Sequence, residues 1–340
     1  MFNKIYSNIK NFIKENYKTL LIMIICYLVL TFPLPYYIYT SGGTININDR
    51  INIENSYSSS GSFNFAYVSE LRATPPTYLL SYIIKDWKLE KKGEYTLSKN
   101  ETMDDVLVRD KLSLKEANDT AILLAYQHAN KEIDIKGNHH YVTYIMDEAN
   151  TDLKIGDEIV LIDDKKINTI DDYRDIISSK NVGDSISLTV LNNGKSKEKK
   201  IEIGLINNQK MTGISLITLA EYETDPNIKL NFHNNESGPS GGLMLTLAIY
   251  NKLIEEDITK GYKIVGTGTI NKDGTVGEIG GVLYKLKGAV KDNADYFLVP
   301  SGNNYIDVVK EKKEKGYDIE IVEVKDLTSA ITFLENLNKK

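Results

Sequence analysis

The sequence predicts an α+β multidomain chain, and three patterns predict it. A long apolar stretch lies near the N-terminus, a middle segment alternates apolar and polar residues with period two, and residues 206–340 alternate strand-like with helix-like segments. At 340 residues the chain is long enough for two domains and an appended segment. Its 47 acidic and 41 basic side chains leave a formal charge of -6, which gives no electrostatic reason to expect nucleic-acid binding. The lone cysteine, Cys26, excludes a disulfide within the chain and a cysteine metal cluster. Four histidines, His128, His139, His140 and His233, lack HExxH spacing, so neither a metal nor another cofactor is expected.

The first element follows from charge and hydropathy. Lys4, Lys10, Lys14 and Lys18 precede TLLIMIICYLVLTFPLPYYIY, in which Leu20 to Tyr39 carry no charge. Twenty such residues span about 30 Å as a helix, enough to cross a bilayer. Positive charge ahead of the span places residues 1–40 as a cytoplasmic tail and single-pass transmembrane anchor, with the remainder outside the cell. A cleaved signal peptide competes with this reading because Pro33 and Pro35 could end a shorter apolar core; the missing A-x-A site favours a retained anchor.

Residues 44–135 read as a folded strand and helix segment packing on the C-terminal domain. ININD, RINIE and SFNFAYVS alternate as strands do, the last with Phe63, Phe65 and Tyr67 on one face. Pro75-Pro76 opens a helix over TYLLSYIIKDW, and Ser113 with Glu116 makes a capping box for a second helix over SLKEANDTAILLAYQHA.

Residues 136–205 form the next unit. YVTYIM, LKIGDEIVLIDDKKI, a helical IDDYRDIISS, the alternating Ile186, Leu188 and Val190, and an Asn193-Gly194 hairpin into KKIEI predict antiparallel strands with one helix. This order, with the phrase from Leu153 through Gly156-Asp157 to Ile159, resembles a bacterial PDZ domain over about 70 residues. The resemblance implies that an extended peptide adds beside an edge strand, here Tyr141, Val142 and Thr143. The segment upstream, KGNHH, departs from the usual carboxylate-binding loop. Gly194-Lys195-Ser196 mimics the tail of a phosphate-binding loop, but Thr189 stands where such a loop needs glycine, so no ATP site is expected.

The remaining segment, 206–340, predicts a mixed α/β domain: GISLITL, an apolar helix after Ser240, YKIVGTGTI, a helix from Val282, YFLVP, a helix ending near Gly316, IEIVEV and SAITFLENL. Within it, HNNESGPSGGLMLTLAIYNKL crowds glycine and proline around Ser240 and then launches an apolar helix. Serine is a favoured N-cap, which would account for Ser240 alone. Glycines at 238, 241 and 242 suggest instead a place where backbone approaches closely.

A serine hydroxyl becomes a nucleophile only when a base takes its proton. His233 is seven residues away and no histidine follows. Lysine serves if burial lowers its pKa, and Lys285 sits at helical spacing among Gly281, Val282, Gly288 and Ala289 with no acidic neighbour. Lys287 shares a face with Leu283 and Lys291, nearer to solvent. GPSGG at 238–242, VGTGTI at 265–270 and VGEIGGVLYK at 276–285 together resemble the proteolytic domain of Lon-type proteases. The resemblance implies Ser240 as nucleophile, Lys285 as general base, Thr267 orienting that lysine, and backbone N–H groups near Gly238 and Gly241 meeting the oxyanion. Two departures stand out: Gly241 where alanine is commoner, and Ser237 where ATP-dependent relatives carry an acid.

An N-terminal span, a PDZ domain and a Lon-like domain in that order resemble the membrane-anchored, ATP-independent Lon-like proteases of Gram-positive bacteria. That resemblance implies a serine endopeptidase acting on extracytoplasmic peptides or proteins, with a tendency to form homo-oligomeric rings. The competing expectation is a membrane-tethered PDZ scaffold without catalytic activity.

Overall fold

The structure, a computed structural model, describes residues 2–91, 101–192, 194–233 and 236–340. It divides into two units, residues 1–41 with 68–96, and residues 42–67 with 97–340. In chain order the first elements are α1 (Phe2–Thr31), β1 (Tyr36–Asn46), a 3-10 turn (Ile47–Arg50), β2 (Ile51–Ile53), β3 (Ser62–Arg72), α2 (Pro75–Leu80) and β4 (Lys88–Lys91). In the smaller unit, Tyr36–Tyr39 of β1 pair antiparallel with β4.

The N-terminal expectation needs correction. Helix α1 ends at Thr31, ahead of Pro33, and Tyr36–Tyr39, expected inside the span, lie in β1. The residue before a proline is pushed out of the helical region, so Pro33 and Pro35 end the helix early. Its charge-free part runs only from Thr19 to Thr31, about 20 Å. Among the described residues no helix is long and apolar enough to cross a membrane. The large apolar side chains from Leu21 to Leu30 of α1, and Phe32 after it, are nevertheless exposed.

The larger unit continues with α3 (Met103–His128), β5 (Glu132–Ile145), β6 (Glu158–Ile162), β7 (Lys165–Lys166), α4 (Ile170–Ser179), β8 (Ser185–Asn192), β9 (Lys195–Glu202), β10 (Gly204–Ile206), β11 (Gln209–Met211) and β12 (Ile214–Asp225). Helix α3 begins ten residues before the expected box: Thr102 caps it, its Oγ1 accepting from Asp105 N while Asp105 accepts from Thr102 N, and Ser113 lies inside the helix. Either pair suits a capping box; the one that precedes the full apolar stripe wins. Strands β12, β5, β6, β8 and β9 form an antiparallel sheet in that order. Asn193 of the expected hairpin lies outside the described residues, but β8 and β9 pair on either side of it, Asn192 opposite Lys195.

The Gly156-Asp157 turn holds this sheet together. Gly156 has φ +89°, a conformation glycine adopts without strain. Asp157 is fully buried, with Oδ2 accepting from Lys199 Nζ and Lys154 N at 2.7 Å each and Oδ1 accepting from Asn192 Nδ2 at 2.7 Å. A buried carboxylate so fully satisfied ties β6 to β8 and β9.

The chain closes with β13 (Ile228–Leu230), α5 (Gly242–Leu253), β14 (Lys263–Gly266), β15 (Thr269–Ile270), β16 (Val276–Gly277), α6 (Val282–Lys291), β17 (Tyr296–Pro300), α7 (Asn303–Lys315), β18 (Glu320–Val324) and α8 (Leu327–Glu335). Parallel pairing runs β18, β17, β14 and then the start of β3, with Val265 beside Asn64 and Phe297. Parallel strands are covered on both faces and so read as apolar runs, as IVG and YFLVP do. Helix α5 is buried all round, from Gly242 to Asn251 and again at Leu253, a pattern that suits only a core helix. It packs among Ile122 and Tyr126 of α3, Ile264 and Leu298 of the sheet, and Leu327 and Ile331 of α8. Burying each such leucine or isoleucine contributes about 1.5–3 kcal/mol.

Gly266 is where α5 meets the sheet most tightly. A Cβ there would lie 2.5 Å from Met244 Sδ and 2.9 Å from the Leu298 Cβ and carbonyl oxygen. Gly266→Ala is therefore expected to destabilise the chain by about 1–3 kcal/mol. A urea titration followed by circular dichroism measures this; an unchanged midpoint would show that the helix can move away from the strand.

Candidate active site

The Ser240 hydroxyl does not cap α5. The N-cap is Gly241, with no side-chain cap bond, and Ser240 sits one residue earlier in the turn. Its Oγ instead accepts from Lys285 Nζ at 2.8 Å. Lys285 Nζ also donates to Thr267 Oγ1 at 2.9 Å, and Thr267 Oγ1 donates to the Ser240 carbonyl oxygen at 3.0 Å. Three residues from three separate segments thus close a ring of hydrogen bonds.

Each segment is fixed locally. The Ser240 carbonyl also accepts from Gly268 N at 2.8 Å, and Leu243 N donates to the Gly268 carbonyl at 3.1 Å, so the strand leaving β14 is bonded to the turn that starts α5. Thr267 is fully buried and its N–H donates to the Leu298 carbonyl. Gly281, left-handed at φ 69°, starts α6, whose buried positions Val282, Lys285, Leu286 and Ala289 follow helical spacing. Ahead of it, Asn304 accepts from Ile279 N and donates to the Ile279 carbonyl, while Glu278 accepts from the Asn303 backbone at the start of α7.

Lys285 is 5% exposed and among the described residues has no carboxylate partner; burial pulls its pKa down from the usual lysine value to about 8. Desolvation disfavours the ammonium, and two hydroxyls compensate only partly. Among the described residues the backbone N–H groups of Ser240 and Gly241 meet no acceptor, and both lie at the positive end of α5. The site therefore offers a hydroxyl, a readily deprotonated amine and two open amide donors.

The other predicted residues fall variously. Gly238 has φ +85° and open space where a Cβ would project. At Gly241 a Cβ would lie 2.7 and 2.8 Å from the Phe65 ring, so this chain fills with an aromatic ring the space that alanine would need. Ser237 is exposed, and the neighbouring acid Glu236 is held by Arg50, whose Nε donates to it at 3.0 and 3.2 Å, and by His233 N at 2.7 Å. His233 is exposed and makes no hydrogen bond with Ser240; Asn234 and Asn235 lie outside the described residues. Lys287 lies 3.8 Å from Glu311, away from the ring. Phe65, Arg50 and Asn304 escape sequence reasoning because each acts from a distant segment; Glu236 beside Ser237 was the one local signal.

Tyr141, Val142 and Thr143 are not at a sheet edge, contrary to expectation. Strand β5 is paired on both sides, Tyr141 with Glu158 of β6 and with Ile217 of β12. The KGNHH segment is itself part of β5 rather than a loop. The long β12, which the alternation in ISLITL only partly announced, takes the place beside it.

Residues 109–203 match the family model of the PDZ domain, so the chain contains a PDZ domain, and the match takes in most of α3 and strands β5 to β9 but not β12. No curated protein matches the chain. Among solved structures, the PDZ domain of the SdrC-like protein from Listeria monocytogenes is 25% identical over 25% of this chain and 93% of that one, with a TM-score of 0.22. The corresponding domain from Listeria innocua is 26% identical over 23% and 92%, TM-score 0.22. A solution structure from Geobacillus thermodenitrificans is 25% identical over 22% and 92%, TM-score 0.21.

Burial of the Lys285 amine carries a stability cost. Below pH 8 the buried ammonium destabilises the fold by ~3 kcal/mol relative to the unfolded chain, and the cost fades as pH rises from about 8 to about 10.4, where the unfolded lysine also loses its proton. Lys285→Met, which leaves two hydroxyls without their amine, is expected to stabilise the fold by about 1–2 kcal/mol at pH 7 and by little at pH 10. Thermal unfolding at the two pH values tests this; a variant less stable than wild type at pH 7 would mean that the amine is well solvated.

Proposed function

We propose that this chain is an ATP-independent serine endopeptidase of the Lon-like kind, working through a Ser240–Lys285 dyad and carrying a PDZ domain. The observation that carries this reading is the 2.8 Å bond between the Ser240 hydroxyl and a buried lysine amine with a pKa near 8 and, among the described residues, no acidic partner. A lysine kept for structure is paired or solvated; one poised near neutrality suits a general base.

In the proposed reaction neutral Lys285 Nζ takes the Ser240 Oγ proton as Oγ attacks a peptide carbonyl carbon. The oxyanion is met by the Ser240 and Gly241 amides, and each such donor is worth about 2.7–4 kcal/mol in the barrier. The Lys285 ammonium then protonates the leaving nitrogen as the C–N bond breaks. Water attacks the acyl-enzyme with the same amine as base, restoring the hydroxyl. Thr267 holds Nζ toward Oγ throughout. Open space at Gly238 suits an approaching substrate backbone. Peptides and extended or loosely folded protein segments are the substrate class, since the reading includes no ATP-driven unfolding. The exposed apolar surface of α1 supports attachment at a membrane.

Fluorophosphonate labelling and casein cleavage test the dyad. Wild type is expected to react, and both Ser240→Ala and Lys285→Ala to lose at least 1,000-fold in rate, about 4 kcal/mol. Cleavage is expected to rise with pH through a midpoint near 8, as Lys285 loses its proton. Variants as active as wild type would refute the dyad, and a wild type that neither labels nor cleaves would leave the chain as a PDZ binding protein. Separately, full-length chain mixed with lipid vesicles is expected to float with them in a density gradient, and deletion of residues 1–32 to abolish flotation; a full-length chain that stays in the soluble fraction refutes the attachment.

A further inference from the structure

We propose that the first half of β12 is the resident ligand of this chain's own PDZ domain, and that an outside peptide reaches the β5 edge only by displacing it. A PDZ domain takes an extended peptide as an added strand, with main-chain bonds giving affinity and pockets for alternate side chains giving specificity. Strand β12 meets both conditions. It pairs antiparallel with β5, Leu216 opposite Val142, Ile217 opposite Tyr141 and Thr218 opposite His140. Ile214 and Leu216, two residues apart and so on one face, pack against the domain core that holds Val142, Tyr173 and Ile177.

The segment is docked at its start by specific contacts. Thr212 Oγ1 bonds the Tyr173 hydroxyl of α4 at 2.6 Å, and both residues are buried. Met146 N donates to the Gly213 carbonyl at 2.8 Å. Gly213 itself, at φ +75°, lies where a Cβ would press on Ile206 and Ala149. Register slips between Ser215 and Leu216, a bulge that interrupts the ladder where displacement would begin.

The second half is held differently. Asp119 of α3 accepts from Ala220 N at 3.0 Å, and burial raises its carboxyl to about 6. Tyr126 of α3 donates to the Pro226 carbonyl just beyond β12. Displacement is therefore confined to residues 212–219 and leaves 220–225 anchored on the helix that also packs on α5. The fitting partner is an extended, uncharged peptide with branched apolar residues at alternate positions. This inference rests on the PDZ domain, not on the proposed chemistry of Ser240.

The probe is a fluorescein-labelled peptide of residues 212–219, TGISLITL, titrated into the full chain carrying Ser240→Ala, with anisotropy as readout. The parent is expected to bind weakly, because its edge is filled. Ile214→Asp with Leu216→Asp should tighten probe binding on the order of tenfold or more. Tyr173→Phe, which removes only the tie to Thr212, should tighten it in the same direction with the fold intact by near-ultraviolet circular dichroism. A parent that binds as tightly as the variants overturns the proposal, because the edge is then open. Folded variants that gain nothing also overturn it, because β12 is then a fixed strand. Binding is read without hydrolysis, so failure of the dyad reading leaves this result unaffected.

Discussion

The buried amine of Lys285 is the constraint on which the rest of the site depends. An ammonium removed from water and given no carboxylate is unstable unless every nearby dipole is placed for it. Two hydroxyls supply part of that compensation, and each is held by other bonds: Ser240 by the turn before α5, Thr267 by the strand leaving β14. The geometry therefore requires a rigid core helix beneath Ser240, which α5 provides by being buried on every side. It also requires α6 to arrive at a fixed angle, which Gly281 at its start and Gly288 against the Gly43 backbone permit.

The same economy explains the glycines. A Cβ at Gly266 would strike Met244, and one at Gly242 would lie 2.8 Å from Ile270 Cγ2. These positions let helix and strand come close enough for Thr267 to reach both the Ser240 carbonyl and the Lys285 amine. Gly238 differs, because its left-handed backbone faces open space rather than a packed neighbour. One group of glycines packs the site and the other leaves it accessible.

A second level of organisation joins the PDZ domain to this core. Strand β12 completes the PDZ sheet through β5, and α3 carries Asp119 to β12 on one side while packing on α5 with Ile122 and Tyr126. The family match beginning at residue 109 reflects this, since it includes most of α3. Helix α3 thus belongs physically to both layers, and a boundary drawn at residue 136 from the change in periodicity divides what packing unites.

Much was legible in the sequence because it is local. Period-two alternation placed β8, the apolar run YFLVP placed β17 at 296–300, and glycine with proline around Ser240 marked a turn into a core helix. Spacing in VLYKLKGAV also put Lys285 on the buried face of α6. What depends on distant partners was not legible. The early end of α1, the pairing of β5 on both sides, Phe65 in the space beside Gly241, and Arg50 on Glu236 each join segments far apart in the chain. The sequence by itself determined which residues could form a buried serine and lysine pair; only the tertiary structure decided that they meet at 2.8 Å with a threonine bonded to both, because hydrogen bonds and desolvation depend on positions in space rather than on order along the chain.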